Sequence, residues 1–207
     1  MQQPALIIFA RNPALGKVKT RLAKTIGDMK TLLIYEELLH HTLQVTKNLP
    51  FDKYVFYQDT INTDDLWDNS VYNKHIQEGK DLGERMLSAF SLVIKKRYEK
   101  VWIIGSDCHD LNQKGISDSF DMLESGKVVI GPATDGGYYL LGLRDLIPEI
   151  FNNISWSTEN VFIQTIQKLK ELNIPYSVLP ELSDIDEEAD LTEELKIRAG
   201  LYKIDQI

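Results

Sequence analysis

The sequence predicts an α/β fold: a three-layer α/β/α sandwich built on a mainly parallel, mixed sheet. Three observations carry this. Short continuous apolar runs alternate with segments of helical period at crossover spacing. A chain of 207 residues, 43% hydrophobic and 26% charged, has the composition of a globular protein able to bury a large core. One pair of apolar runs, 128–130 and 138–143, is joined by a connection too short for a crossover helix, which introduces a local antiparallel strand.

The elements follow in order. Ala5 to Ala10 is apolar throughout and stops at Arg11-Asn12-Pro13, the pattern of a central strand covered on both faces. Leu32, Tyr35 or Glu36, Leu39 and Leu43 fall on a helical period, and the aromatic Tyr54 to Tyr57 predicts a second strand. Leu82, Met86, Ala89, Phe90 and Val93 repeat the helical spacing before the strand Val101 to Ile104. Ile116, Phe120 and Leu123 mark a short helix, with Asp110 or Asn112 as its cap, ahead of the strand Val128 to Ile130. After the antiparallel run Tyr138 to Leu143 come a helix from about Glu159 to Leu172, a strand around Tyr176 to Leu179 and an acidic helix from about Glu187 to Ala199. No linker, repeat or low-complexity tract interrupts the series, so one domain over 1–207 is expected.

The formal charge of −8 argues against a nucleic-acid binder, which needs a basic face. The charge is unevenly spread. The first 27 residues contain Arg11, Lys17, Lys19, Arg21 and Lys24 and no acid, leaving 18 basic against 31 acidic residues in the rest. One basic segment in an acidic chain predicts a local site for a small anion. A lone cysteine, Cys108, forms no internal disulfide, which favours a reducing, cytoplasmic setting. Apolar stretches such as ALIIFA are too short to span a bilayer, and no signal-peptide pattern opens the sequence.

In open α/β sheets ligands sit beyond the carboxyl ends of the strands, which singles out three loops. The first runs from Arg11 to Leu22, where Gly16 permits close backbone approach and Arg11, Lys17, Lys19 and Arg21 can surround a polyphosphate. It is neither a P-loop, since Arg11 and Val18 stand where glycine and Ser or Thr are needed, nor a dinucleotide fingerprint. The second is Gly105-Ser106-Asp107-Cys108-His109-Asp110, where Asp107 is placed to hold Mg²⁺ or Mn²⁺ with substrate phosphates. Cys108 and His109 are sequence neighbours that project apart and lack a third ligand. The third is Gly131 to Tyr139, in which Gly136 and Gly137 let a turn present Asp135 and backbone amides to a ligand. Asp107 and Asp135, 28 residues apart at the ends of strands expected to be neighbours and parallel, are candidates to share one cation.

These segments carry a resemblance. Phe9 to Pro13 with Gly16 to Leu22, Asp81-Leu82-Gly83-Glu84-Arg85-Met86, Gly105 to Cys108, Gly131 to Tyr139 and Trp156-Ser157-Thr158 together resemble the radical-SAM/selenodomain-associated transferase family. That family has the GT-A-type nucleotide-diphospho-sugar transferase fold and is similar to 2-phospholactate guanylyltransferases. The resemblance implies a nucleotide site over the first strand, with Lys19, Thr20 and Arg21 in its phosphate loop, Asp107 as metal-binding acid and Asp135 as the second acid. Gln77, Gly79, Asp81 and Arg85 match the family's intervening segment and are expected to touch nucleotide or acceptor. Asp184 to Leu191 resembles the Asp-x-Asp-Thr-x-x-Asp-Leu ending of related nucleotidyltransferases, with Glu187 in place of threonine and Asp186 a further metal candidate. His109 replaces the proline common after Ser-Asp-Cys.

Within Glu181 to Glu194, eight acids without a base fit a solvated helix start, with Asp190 and Glu193 as cap and partner. Trp156 is expected as a core residue beside an N-cap, with acceptor stacking as the alternative; His40, His41 and His75 show no partners in the sequence. The expected activity is metal-dependent transfer from a nucleotide or nucleotide-sugar donor to a small-molecule acceptor, glycosyl transfer first and nucleotidyl transfer second. A catalytically silent nucleotide-binding module stays open as a different class.

Overall fold

The computed structural model describes residues 4–201, the side chains of 124 and 125 excepted. One sheet contains β1 (Ala5–Ala10), β2 (Asp52–Tyr57), β3 (Tyr72–Ile76), β4 (Val101–Ile104), β5 (Val128–Pro132), β6 (Tyr138–Leu143) and β7 (Tyr176–Val178). The strands lie in the order β3-β2-β1-β4-β6-β5-β7. β6 runs antiparallel to β4 and β5, and the other neighbours pair in parallel. The helices are α1 (Thr20–Ile26), α2 (Asp28–Thr46), α3 (Leu82–Ile94), α4 (Gln113–Ser125), α5 (Val161–Glu171) and α6 (Glu193–Arg198).

The apolar run of β1 is continuous because both faces of the sheet are covered. On one face Leu6, Ile8 and Ala10 join Trp102 and Ile104 of β4 under Tyr35 and Leu39 of α2 and Ile116 and Leu123 of α4. On the other, Ala5 and Ile7 join Val101 and Ile103 under Met86, Phe90 and Val93 of α3 and Leu169 of α5. This is the expected three-layer sandwich on a mainly parallel, mixed sheet. No helix among the described residues is long and apolar enough to cross a membrane.

Several elements depart from the sequence expectation. β3 (YNKHI) is an edge strand whose single fully buried residue is Tyr72, so it lacks an apolar run, and α1 buries only Leu22. The terminal acidic helix is broken in two: Glu187 and Asp190 form a capping box around a 3₁₀ turn, Glu188–Asp190, and α6 starts afresh from Thr192, whose side chain accepts from Leu195 N. Asp190 thus caps a different turn from the one expected. β4 and β5 are not neighbours, because β6 lies between them; the assumed pairing behind Asp107 and Asp135 is therefore corrected.

A third apolar cluster positions the site. Leu22 of α1, Ile34 and Leu38 of α2, Ile185, and Leu191, Leu195 and Ala199 close on one another. It fastens the C-terminal strap onto the loop that follows β1, and burying Ile185 alone stabilises that junction by about 1.5–3 kcal/mol.

Candidate active site

The loops after β1 and β4 and the β5–β6 turn open at one end of the sheet, around a cleft of about 970 Å³. In the loop after β1, Gly16 (φ 70°) makes a turn closed by Lys17 N donating to Ala14 O. Tyr35 of α2 fixes the loop's start: its hydroxyl accepts from Arg11 N (2.8 Å) and donates to Arg11 O (3.1 Å). Lys19, immediately before α1, holds the left-handed φ of 43°, a conformation unfavourable for a residue with a Cβ. Its side chain is only 8% exposed, and Nζ donates to Asp107 Oδ2 at 2.8 Å and Asp186 Oδ1 at 2.7 Å. Arg21 is 68% exposed, with Nη1 3.9 Å from Asp186 Oδ2. Arg11, Lys19, Thr20 and Arg21 line the cleft, whereas Gly16 and Lys17 are exposed outside its lining. The turn that Gly16 makes leaves Lys17 in solvent, just before the buried Val18, so the expected four-cation cradle contains three.

Asp107 needs glycine two residues earlier, because a Cβ at Gly105 would stand 2.8 Å from Asp107 Oδ1. Its main-chain oxygen accepts from Ile185 N at 3.0 Å, which draws the strap alongside. In extended chain, alternate residues share a face. Ile185 enters the apolar cluster, and Asp184 and Asp186 both line the cleft. Asp190 Oδ2 accepts from Asp186 N (2.9 Å) and Glu187 N (2.7 Å), locking the strap's turn. Asp184 was missed as a site residue; its signal was the acid–apolar–acid alternation at 184–186.

Electrostatics follow from this convergence. Burial alone would raise the pKa of Asp107, but the Lys19 ammonium outweighs it and holds the carboxyl below its ordinary value. Burial likewise opposes the charge on Lys19, and Asp107 and Asp186 more than compensate, raising its pKa. Asp184 makes no ion pair with Lys19, whose charge only partly offsets the effect of burial. Burial, then the charge of Asp107, push it up to about 8, and its buried Oδ1 accepts no hydrogen bond.

Another wall is made by Asp135, Gly137 and 156–161. Asp135 Oδ1 accepts from Gly137 N at 2.8 Å, and both residues line the cleft. Gly136 (φ 86°) sits behind them, where a Cβ would fall 2.1 Å from Glu159 O. Trp156 lies half-buried in the wall, stacked on Phe151 and edge-on to Tyr138. It lies so close to α3 that a Cβ at Gly83 would come within 2.1 Å of its Nε1. It is thus a cleft residue as well as a packed one. Ser157 beside it has φ 62°.

The segment between β3 and α3 divides its duties. Gln77 and Arg85 line the cleft, with Gln77 Nε2 donating to Phe56 O and Arg85 Nε to Gly79 O. Asp81 is the N-cap of α3, accepting from Glu84 N, and Gly79 makes the preceding turn at φ 148°; neither lines the cleft. Asn112 caps α4. Cys108 is a buried thiol, pushed up to about 12 by burial and then by Asp184, so it is no nucleophile. His41 and His75 do have partners: His41 Nε2 bonds Leu111 O and its ring meets that of His109, and His75 stacks on Phe56.

Chemically, the cleft sets four cations, Arg11, Lys19, Arg21 and Arg85, beside five carboxylates, Asp107, Asp135, Glu159, Asp184 and Asp186. Among the described residues no three His, Cys, Asp or Glu side chains form a ready metal cage. The donor set instead fits a hard divalent ion that takes one or two carboxylates and completes its shell with phosphate oxygens and water. Two carboxylates already converge on one cationic nitrogen, and the unpartnered Asp184 Oδ1 adds acceptor capacity beside them. The pair so joined is Asp107–Asp186, while Asp135 is engaged by its own turn.

Known proteins place this geometry. A protein of Desulfovibrio desulfuricans G20 assigned as a nucleotide-diphospho-sugar transferase is similar at 28% identity and a TM-score of 0.82, with 95% of this chain and 91% of that one covered. The inositol-1-phosphate CTP transferase of T. maritima aligns with a TM-score of 0.58 at 14% identity over 95% and 94% of the two chains. Rv0371C of Mycobacterium tuberculosis H37Rv, solved in complex with manganese, aligns at 0.54 and 12% over 95% and 97%. The last two share the fold, which is the expected GT-A-like one. No functionally curated protein matches the chain. The model of the family described as "Uncharacterized protein conserved in bacteria (DUF2064)" matches residues 41–158, more than half of the sequence, and the chain belongs to that family.

Proposed function

We propose that this protein, as one domain over residues 1–207, transfers a group from a nucleotide-activated donor to a small-molecule acceptor in the cleft above β1 and β4. The observation that carries this is the meeting of Lys19, flanked by Arg11 and Arg21, with Asp107 and Asp186 in a cleft of about 970 Å³. That volume suits a nucleotide together with part of a second substrate. Arg11, Lys19 and Arg21 neutralise and orient the donor's phosphates, and Thr20 and Gly137 border them, with Gly136 shaping the turn from behind. Asp107 and Asp186, with Asp135 as the more distant acid, hold Mg²⁺ or Mn²⁺, which supplies further charge neutralisation where negative charge grows on the leaving phosphates. The manganese complex of the mycobacterial protein supports this cation class.

The leading reaction is glycosyl transfer, supported by the assignment of the Desulfovibrio protein. An acceptor hydroxyl attacks the sugar C1, the bond from C1 to the diphosphate oxygen breaks and nucleoside diphosphate leaves. The hydroxyl proton passes to a carboxylate, for which the exposed Asp135 and Glu159 both border the cleft. Trp156, Leu82 and Met86 offer the acceptor an apolar wall. The grouping of three cations at one end favours nucleotidyl transfer as the second reading: an acceptor phosphate attacks the α-phosphorus in line and pyrophosphate leaves. Phosphorus NMR on protein incubated with Mg²⁺ or Mn²⁺, nucleoside triphosphates and nucleotide-sugars separates the two by the phosphate released. Calorimetric binding without release under any of these conditions would indicate the silent module, and failure to bind any nucleotide overturns the proposal.

A further inference from the structure

The place between Asp107 and Asp186 is filled by the Lys19 ammonium. Lys19 Nζ lies 2.8 Å from one carboxylate and 2.7 Å from the other, with 8% of its side chain exposed. A divalent ion held by the same two carboxylates binds oxygens at roughly 2.0–2.6 Å and needs the same space. Two like charges crowded there repel, so ammonium and divalent ion exclude one another. The carboxylates stay together without Lys19, because Ile185 N donates to Asp107 O and Asp190 Oδ2 holds Asp186 N. Lys19 also has somewhere to go: it lines the cleft where Arg11 and Arg21 mark the phosphate position.

We infer that Lys19 is an internal counter-cation that must leave Asp107 and Asp186 before a divalent ion enters, and that donor phosphates are what draw it off. The inference rests on the nucleotide-transfer reading for the second step and on geometry alone for the first. It makes binding ordered: the free protein takes up metal weakly, and phosphate and metal enter together. A carboxylate pair left without a cation is avoided at every stage.

The test measures Mn²⁺ alone by the electron paramagnetic resonance signal of the free ion. Lys19→Met is expected to bind Mn²⁺ at least tenfold more tightly than the wild type. Lys17→Met, which removes an equal charge outside the cleft, is expected to change affinity less than twofold. Adding Asp107→Asn to Lys19→Met should abolish the gain. Equal affinity of wild type and Lys19→Met, or an equal gain in Lys17→Met, overturns the inference. A second measurement needs no variant: acetylation of Lys19 in the wild-type protein, followed by mass spectrometry, is expected to be slow without metal and at least fivefold faster at saturating Mn²⁺. Unchanged protection at saturation overturns it as well. Neither arm contains a nucleotide, so a failed exchange leaves the transferase reading standing, and absent nucleotide binding leaves the exchange standing.

Discussion

On one wall of the cleft, charged side chains hold each other: Lys19, Asp107 and Asp186 meet within 2.8 Å, and the strap carrying Asp186 is tied down by Asp190. On the other wall, backbone and aromatic packing set the shape: Gly136 and Ser157 adopt positive φ, and Trp156 lies against the helix at Gly83. The charged wall is held by ion pairs, which the inferred exchange at Lys19 would redistribute. The packed wall is fixed by sterics and changes only if a side chain is forced out. Under the proposed function, a donor that brings charge is expected on the first and an acceptor selected by shape on the second.

The largest test of that contrast is Asp107→Asn. It keeps the shape of the charged wall and removes its central acid, so the rate of nucleoside diphosphate or pyrophosphate release is expected to fall by about 10³-fold. A loss of less than tenfold would place the chemistry elsewhere.

The packed wall should fail through structure. Gly136→Ala puts a Cβ 2.1 Å from Glu159 O at φ 86°, with an expected loss of about 2–4 kcal/mol in urea unfolding. Gly83→Ala displaces the Trp156 indole and should raise acceptor KM roughly tenfold, about 1.4 kcal/mol, while calorimetric nucleotide affinity stays put. A matching loss of nucleotide affinity would show that the walls are not separable.

Asp184 gives a smaller, pH-dependent effect. Its folded pKa of about 8 lies above the unfolded value, so the folded protein holds the extra proton. Its contribution to stability is complete below about pH 4 and is lost as pH rises through about 8. The melting temperature of the metal-free protein should therefore fall between pH 5 and 9, and Asp184→Asn should flatten that slope. An unchanged slope in the variant would assign the effect to another group.

The smallest effect separates two cations that look alike in the sequence. Arg21→Ala is expected to weaken nucleotide binding about tenfold at low salt, the size of one charge-assisted hydrogen bond. Lys17→Ala, outside the cleft, should cost less than about threefold and vanish in 0.5 M salt. Equal losses would return Lys17 to the phosphate site.

Ala5–Ala10 and Val101–Ile104 were legible as buried strands because a sheet covered on both faces leaves continuous apolar runs. The loops after them were legible because ligands gather at strand ends. β3 was not, since an edge strand needs no such run, and α1 buries too little to leave a period. The kind of site was also written locally, in an acid-free basic loop followed by aspartates at strand ends.

The sequence by itself determined the layer architecture, the position of the cleft and its chemistry of cations facing carboxylates, all of which follow from periodicity and residue type. Tertiary structure decided the partners. β6 inserts between β4 and β5, so Asp107 meets the strap's Asp186, 79 residues away. One turn at Gly16 leaves Lys17 in water, and a left-handed backbone at Lys19 accompanies a side chain turned inward. Such choices depend on which distant segments pack together, here through Leu22, Ile185 and Leu195, and no local window of sequence contains that information.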